Sequence, residues 1–228
     1  MSAELLIYGM KGSPFVRKVQ VLLAEKGIAY DFKGVNIFPA PDWFVEISPA
    51  KKIPVLRDRS VAEEGEGGTI ADSSAICAYL ERKHPTPALY PSEAFEYGRA
   101  LWFEEYADSE LAARVGLGLF RPLVVARLLG QEPDVERGRK TLREELPPLF
   151  DYLERALGGG DYLVGGIFGV ADIAVASQIV NLRFAGGDVD AGRWPRLAAH
   201  ADRVLARPSF AACIDDERRF FPPGDYEL

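Results

Sequence analysis

Two short stretches carry the residues best suited to chemistry. Lys51-Lys52-Ile53-Pro54-Val55-Leu56 puts a proline where an apolar strand begins, and Ala71-Asp72-Ser73-Ser74-Ala75-Ile76 puts an acid and a hydroxyl where a helix begins. Proline has no amide donor and is confined in sheets to strand starts and edges. An X-Pro bond is also the one peptide bond that becomes cis at modest cost. A cis Ile53-Pro54 bond would turn the amide and carbonyl of Ile53 outward, where they can pair with an extended ligand as a further strand would. Asp72 and Ser73 head a helix whose first amides have no partner within it and attract a carboxylate. Together the two stretches suit a small, extended, peptide-like anion.

A third stretch, Gly12-Ser13-Pro14-Phe15, joins a strand to a helix. Pro14 fits the first helical position. Ser13 can cap that helix or present its hydroxyl to a ligand at the helix N-terminus, and position alone favours the cap.

These residues sit in a chain of 228 residues with a formal charge of -7, 48% hydrophobic and 27% charged residues, ordinary values for a folded protein of one large or two small domains. An acidic balance argues against nucleic acid or an anionic membrane as the main partner, since both need basic patches. No segment is long and apolar enough to span a bilayer, and Met1-Ser2-Ala3-Glu4 lacks the basic region of a secretory signal, so a cytoplasmic location is expected. Cys77 and Cys213 are far apart and have no metal-ligand spacing, and Cys77 lies in a helical pattern as a buried thiol. His84 and His200 are the only histidines, which leaves little for a zinc site or a histidine-based nucleophile. No metal is expected.

The elements that must position the three stretches follow from hydrophobic period. Leu5-Leu6-Ile7-Tyr8 reads as a central buried strand. Phe15, Val19, Leu22 and Leu23 share one face of a helix closed by Gly27, with Arg17, Lys18, Gln20 and Glu25 mostly elsewhere. Tyr30 to Lys33 alternates as a second strand, parallel to the first because a helix joins them. A short helix around Trp43 to Ile47, a hairpin of Val55-Leu56 with Thr69-Ile70-Ala71, and a helix from Ser74 to Lys83 complete the order β-α-β-α-β-β-α. Glu63 to Gly68 reads as a solvated hairpin loop. The prolines from His84-Pro85 to Tyr90-Pro91 mark a boundary, giving domains at 1–84 and 94–228 with a linker at 85–93. Beyond it, Phe95–Leu119, Asp134–Leu157, Val170–Asn181, Arg196–Arg207 and Ser209–Phe220 all favour helix, with Pro147-Pro148 breaking the second.

From end to end the chain resembles the cytosolic glutathione transferases. The resemblance rests on Gly12-Ser13-Pro14-Phe15 before Arg17, Ala24-Glu25-Lys26-Gly27, Lys52-Ile53-Pro54-Val55-Leu56, Asp72-Ser73-x-Ala75-Ile76, Ala171-Asp172-Ile173, Trp194-Pro195 and Arg207-Pro208-Ser209-Phe210. The Ser-Pro-Phe and Lys-Ile-Pro-Val-Leu forms are most similar to the serine-type classes, tau and phi of plants, and their bacterial relatives. The resemblance implies a thioredoxin-like first domain and an all-helical second one. It implies that Ser13 donates to the glutathione sulfur and stabilises its thiolate, and that Ile53, set by Pro54, pairs with the cysteinyl part. Asp72 and Ser73 would hold the γ-glutamyl end, and Lys52, before Lys51, the glycyl carboxylate. Phe15, Tyr106 and Arg114, with Phe103 and Phe120, would line the site of a small hydrophobic electrophile. A twofold homodimer, built from about Thr69 to Lys83 and Phe95 to Arg114, and a detoxifying role follow in the same way. A glutathione-transferase-like carrier without catalysis is the alternative.

The sequence departs from the family at three places. Asp72 stands where the acid is usually Glu, Gly169 stands where a Ser or Thr cap usually precedes Ala171-Asp172, and the loop 57–68 is long. Other classes use a tyrosine at the end of the first strand. An ungapped match puts Gly9 there, and alternation turns Tyr8 to the other face.

Overall fold

The computed structural model describes residues 2–221, 226 and 228. Residue 1 and residues 222–225 and 227, at the outer ends of the two expected domains, lie outside the described residues. The chain divides into two compact units, one up to Ala88 and one from Leu89. The break falls inside the proline-rich stretch.

The first unit runs β1 (Leu5–Gly9), α1 (Pro14–Glu25), β2 (Tyr30–Gly34), α2 (Asp42–Ile47), β3 (Val55–Asp58), β4 (Thr69–Ile70) and α3 (Ser73–Lys83). The sheet order is β2-β1-β3-β4, with β1 parallel to β2 and antiparallel to β3, and β3 antiparallel to β4. β1 has a neighbour on each side and is buried along its whole length, as its unbroken apolar sequence requires. Leu6 and Tyr8 pack with Val35, Phe44, Ile47, Ile53 and Val55, and alternation sends Leu5 and Ile7 to the opposite face. Among the described residues three X-Pro bonds are cis: Phe38-Pro39, Ile53-Pro54 and Thr86-Pro87.

Charged side chains that helical period sets off the apolar face of α1 are nonetheless buried. Arg17 and Lys18 are fully buried, and Lys18 Nζ donates to Ser74 Oγ at 3.0 Å, fastening α1 to the first turn of α3. At the end of α1, Lys26 Nζ meets Glu81 at 2.7 Å and donates to the carbonyls of His84 and Pro87 at 2.8 and 2.7 Å. A buried ammonium needs several acceptors, and these hold the last turn of α3 and the chain beyond it.

The hairpin loop is exposed at Glu63 to Gly67 but pinned from inside. Arg57, buried in β3, donates to the carbonyls of Ala62, Gly65 and Gly67 and to the Tyr8 hydroxyl. Next to it, burial alone would raise the Asp58 carboxyl, but donors from Lys83, Ser60 and Tyr79 override this and hold it below the usual carboxylate range.

The second unit is helical. α4 (Ala94–Tyr106) runs on through Ala107–Leu111 and Ala113–Val125 to α5 (Ala126–Leu128), then come α6 (Val135–Lys140), Thr141–Glu145, α7 (Pro147–Leu157), α8 (Val170–Phe184), α9 (Pro195–Leu205) and α10 (Pro208–Glu217). The first of these passes the expected end at Leu119 although Pro122 lies inside it. Its turns there are wider: the Ala112 amide reaches back five residues to the Ala107 carbonyl and Ala126 to Arg121. Such turns absorb the donor that Pro122 lacks. Pro147 restarts the next helix, as expected.

α8 is buried at almost every position, and its N-terminus is organised by Asp172. One carboxylate oxygen accepts the Leu163 amide at 3.0 Å and lies 2.7 Å from His200 Nε2, while the other accepts the Gly169 amide at 3.0 Å. Gly169 has a steric reason to be glycine. A Cβ there would sit 2.7 Å from the Leu89 carbonyl oxygen, which is held in place by the Val170 amide at 2.9 Å.

Gly169→Ser, which restores the family's helix cap, is therefore expected to destabilise the protein by about 1 to 3 kcal/mol, the cost of overpacking against fixed backbone. Chemical denaturation of the two proteins reads this directly. A gain in stability would mean that the missing cap, and not the Leu89 carbonyl, dominates at this position.

Candidate functional site

Strand register brings the three chemical stretches to one end of the sheet. Tyr8, near the end of β1, pairs with Val55, the first residue of β3, and Leu56 pairs with Ile70, the last residue of β4. The chain thus leaves β1 toward Ser13, enters β3 from Ile53-Pro54 and leaves β4 toward Asp72-Ser73 on the same edge.

Ser13 is the N-cap of α1. Its Oγ accepts the Val16 amide at 3.4 Å, a long bond, and its own amide donates to the Met10 carbonyl at 3.3 Å. The cap uses the oxygen as an acceptor, and among the described residues nothing accepts the hydroxyl proton. Capping and donation to a ligand are therefore compatible in one side chain.

Ile53 is buried in the core cluster by its side chain. Among the described residues, neither its amide nor its carbonyl has a hydrogen-bond partner, a condition that buried backbone seldom tolerates without water or ligand. The residue before it is tied completely. The Lys52 amide donates to Ser48 Oγ at 3.1 Å, and Ser48 Oγ donates to the Lys52 carbonyl at 2.9 Å. The Lys51 and Lys52 side chains are exposed, so either ammonium is available to an anion.

At α3, Asp72 is the N-cap. One of its carboxylate oxygens accepts both the Ser74 and Ala75 amides at 3.0 Å, which leaves the other for a donor. Ser73 is buried, and among the described residues its amide and hydroxyl make no hydrogen bond. Ser74 has a different task from a plain first-turn residue, since it receives Lys18.

The residues expected to line an electrophile site have varied surroundings. Phe15 is half-buried in the first turn of α1. Phe103 is buried and stacks on Tyr152 at 6.0 Å. Tyr106 packs between Tyr152, at 4.9 Å, and Trp102, at 5.9 Å, and burial with the adjacent Glu110 carboxylate pushes its hydroxyl up to about 12. Arg114 pairs with Glu110 at 2.8 Å, and Phe120 packs on Phe221 at 5.4 Å.

Tyr8 is buried, with its hydroxyl taking Arg57 Nε at 3.3 Å. A side chain at Gly9 would meet Val16 at 2.8 Å, so the strand end offers no room for a tyrosine in its present packing. Ser48 is the residue that the motifs did not reveal. It lies four positions before Lys52 and is fully buried; only its hydroxyl geometry marks it. Among the described residues no group of acids, cysteines or histidines is arranged to hold a metal ion, and no helix is long and apolar enough to cross a membrane.

Comparison with known proteins identifies the family and the fold. The glutathione S-transferase N-terminal domain family matches residues 7–88 and the glutathione S-transferase C-terminal domain family matches residues 104–203. A GST-like protein of Escherichia coli K12 named YibF, itself uncharacterised, is 32% identical over 90% of this chain and 96% of its own. A probable cytosolic glutathione S-transferase of rice, DHAR1, is 28% identical over 86% of this chain and 81% of its own. The crystal structure of a glutathione S-transferase from Rhodospirillum rubrum F11 superposes with a TM-score of 0.83 at 27% identity, covering 98% of this chain and all of that one.

Lys51 stands out in the site because it holds a φ of 54°, the left-handed region that disfavours a side chain. Its replacement by glycine is expected to raise stability by about 1 kcal/mol, the left-handed cost removed less the added freedom of the unfolded chain. Thermal and chemical denaturation measure it; a loss of stability would show that the Lys51 side chain contributes more than its backbone costs.

Proposed function

Since the chain belongs to the glutathione S-transferase family, we propose that it is a serine-type enzyme that adds the glutathione thiolate to small hydrophobic electrophiles. The observation that carries the reading is the meeting, at one sheet end, of a hydroxyl proton on Ser13, the backbone of Ile53 and the amide and hydroxyl of Ser73, none of which has a partner among the described residues. Glutathione has the complementary groups in the complementary order. Its cysteinyl backbone pairs with Ile53 in the direction Pro54 sets, and its γ-glutamyl carboxylate takes Ser73 at the α3 N-terminus. The free oxygen of Asp72 receives the γ-glutamyl amine, and Lys52 the glycyl carboxylate.

The thiol then lies at the N-terminus of α1. A free thiol has a pKa of about 8.5. A hydrogen bond from Ser13 to the thiolate, with the helix N-terminus behind it, favours the charged form and lowers that value. The nucleophile is made by binding, and proximity supplies the rest. Phe15, Tyr106 and Arg114 are the residues assigned to the electrophile. No metal enters the reaction as proposed, and a cytoplasmic setting suits a thiol co-substrate.

Ser13→Ala is expected to keep most of the glutathione affinity, raise the pKa of the bound thiol and lower turnover of an activated aryl halide by about ten- to a thousandfold, the range for losing one donor to a developing anion. Calorimetry and the thiolate absorbance read affinity and pKa separately from rate. Full turnover in the variant would end the serine assignment, and a wild-type protein that binds glutathione without turning over electrophiles would be a carrier.

The proposal extends to a twofold homodimer. Its support in this chain is a pair of exposed aromatic residues two turns apart on one side of α4, Phe95 at 71% and Trp102 at 51% exposure. Sedimentation at micromolar concentration is expected to show a dimer that Trp102→Glu dissociates. A monomer in the wild type would overturn it.

A further inference from the structure

The Lys51-Lys52 segment makes an unusual pair of demands. It places a lysine in the left-handed region, at a φ of 54°, and it leaves Ile53 as the first residue whose backbone groups are unpaired among the described residues. A backbone held off its preferred conformation needs surroundings that over-determine it. Here they come from one residue. Ser48 closes α2 with its amide on the Phe44 carbonyl at 2.8 Å, its own carbonyl accepts the Lys51 amide at 2.8 Å, and its hydroxyl accepts the Lys52 amide at 3.1 Å and donates to the Lys52 carbonyl at 2.9 Å. Ser48 is fully buried, and α2 before it is anchored by Phe44 and Ile47 in the cluster that also holds Tyr8, Ile53 and Val55.

We infer that Ser48 is a positioning residue for glutathione, clamping both backbone groups of Lys52 so that Ile53 alone is presented to the ligand and the Lys52 side chain extends from a fixed origin. The inference rests on the glutathione reading above. Its physical content is separate: a single hydroxyl, donor and acceptor at once, does for Lys52 what a neighbouring strand does for an ordinary edge residue. Without it Lys52 would compete with Ile53 for the ligand's backbone and the left-handed turn would relax. The ligand would then have to order the segment as it binds, which lowers affinity.

The test uses the full chain with Ser48→Ala, Ser48→Cys and wild type. Glutathione binding by calorimetry is expected to weaken about tenfold in Ser48→Ala, the loss of one to two hydrogen bonds, and by less in Ser48→Cys, whose thiol is a weak donor and acceptor of similar size. In turnover the loss appears in KM for glutathione with kcat held, since the reacting sulfur is untouched, and hydrogen exchange at the Lys52 amide accelerates. If Ser48→Ala does not fold, Ser48→Cys carries the same comparison. Unchanged affinity and KM in a folded variant, whatever its melting temperature, overturns the positioning role alone. Absence of glutathione binding in the wild type overturns the glutathione reading, and this inference with it, while faster exchange at Lys52 in the variants would still report the clamp.

Discussion

The register of the central strand is the constraint on which the rest depends. β1 is paired on both sides, parallel to β2 and antiparallel to β3. An antiparallel neighbour puts the end of one strand beside the start of the other. Because β4 returns antiparallel to β3, its exit lands on the same edge. Three loops separated by some sixty positions in sequence are therefore neighbours, whatever their side chains. A slip of one residue would exchange the faces of Leu6 and Tyr8 with those of Leu5 and Ile7, and the core cluster under Ile53 would be lost.

Register alone leaves the loops loose, and buried cations fix them. Lys18 ties α1 to Ser74 in the first turn of α3, Lys26 ties the other end of α1 to the chain after α3, and Arg57 binds three loop carbonyls and Tyr8 from within the sheet. Each puts an ammonium or guanidinium where its removal would leave oxygens short of donors, so each is costly to lose. The two helices whose N-termini carry Ser13 and Asp72 are held against one another by the first of these.

The elements of the first unit were legible because each has a local cause: β1 an unbroken apolar run, α1 a Ser-Pro start, β3 a proline entry, α3 an Asp cap. What sequence could not supply depends on contacts across the chain. Arg17 and Lys18 read as surface charges by period and are buried. The helix from Phe95 is expected to end at Leu119, yet it runs on past Pro122 by widening its turns. Gly169 reads as a lost cap, and only the Leu89 carbonyl explains it. Ser48 has no motif of its own. Its role exists only because Lys52 folds back on it, and a serine that ends a short helix is otherwise unremarkable in sequence.

The same contacts bear on the thiol chemistry proposed for this edge. In the tyrosine-type arrangement the phenol stands at the strand end, but here that position is Gly9, and a Cβ would strike Val16, which is itself the residue whose amide Ser13 caps. Tyr8 faces the α2 side, with its hydroxyl committed to Arg57. Val16 thus closes the strand-end route while holding the serine at the head of the helix. On the proposed reading, Ser13, at the N-terminus of α1 and with no acceptor for its hydroxyl proton among the described residues, would stabilise a thiolate, and oxygen in place of sulfur there would do so without forming a disulfide with it.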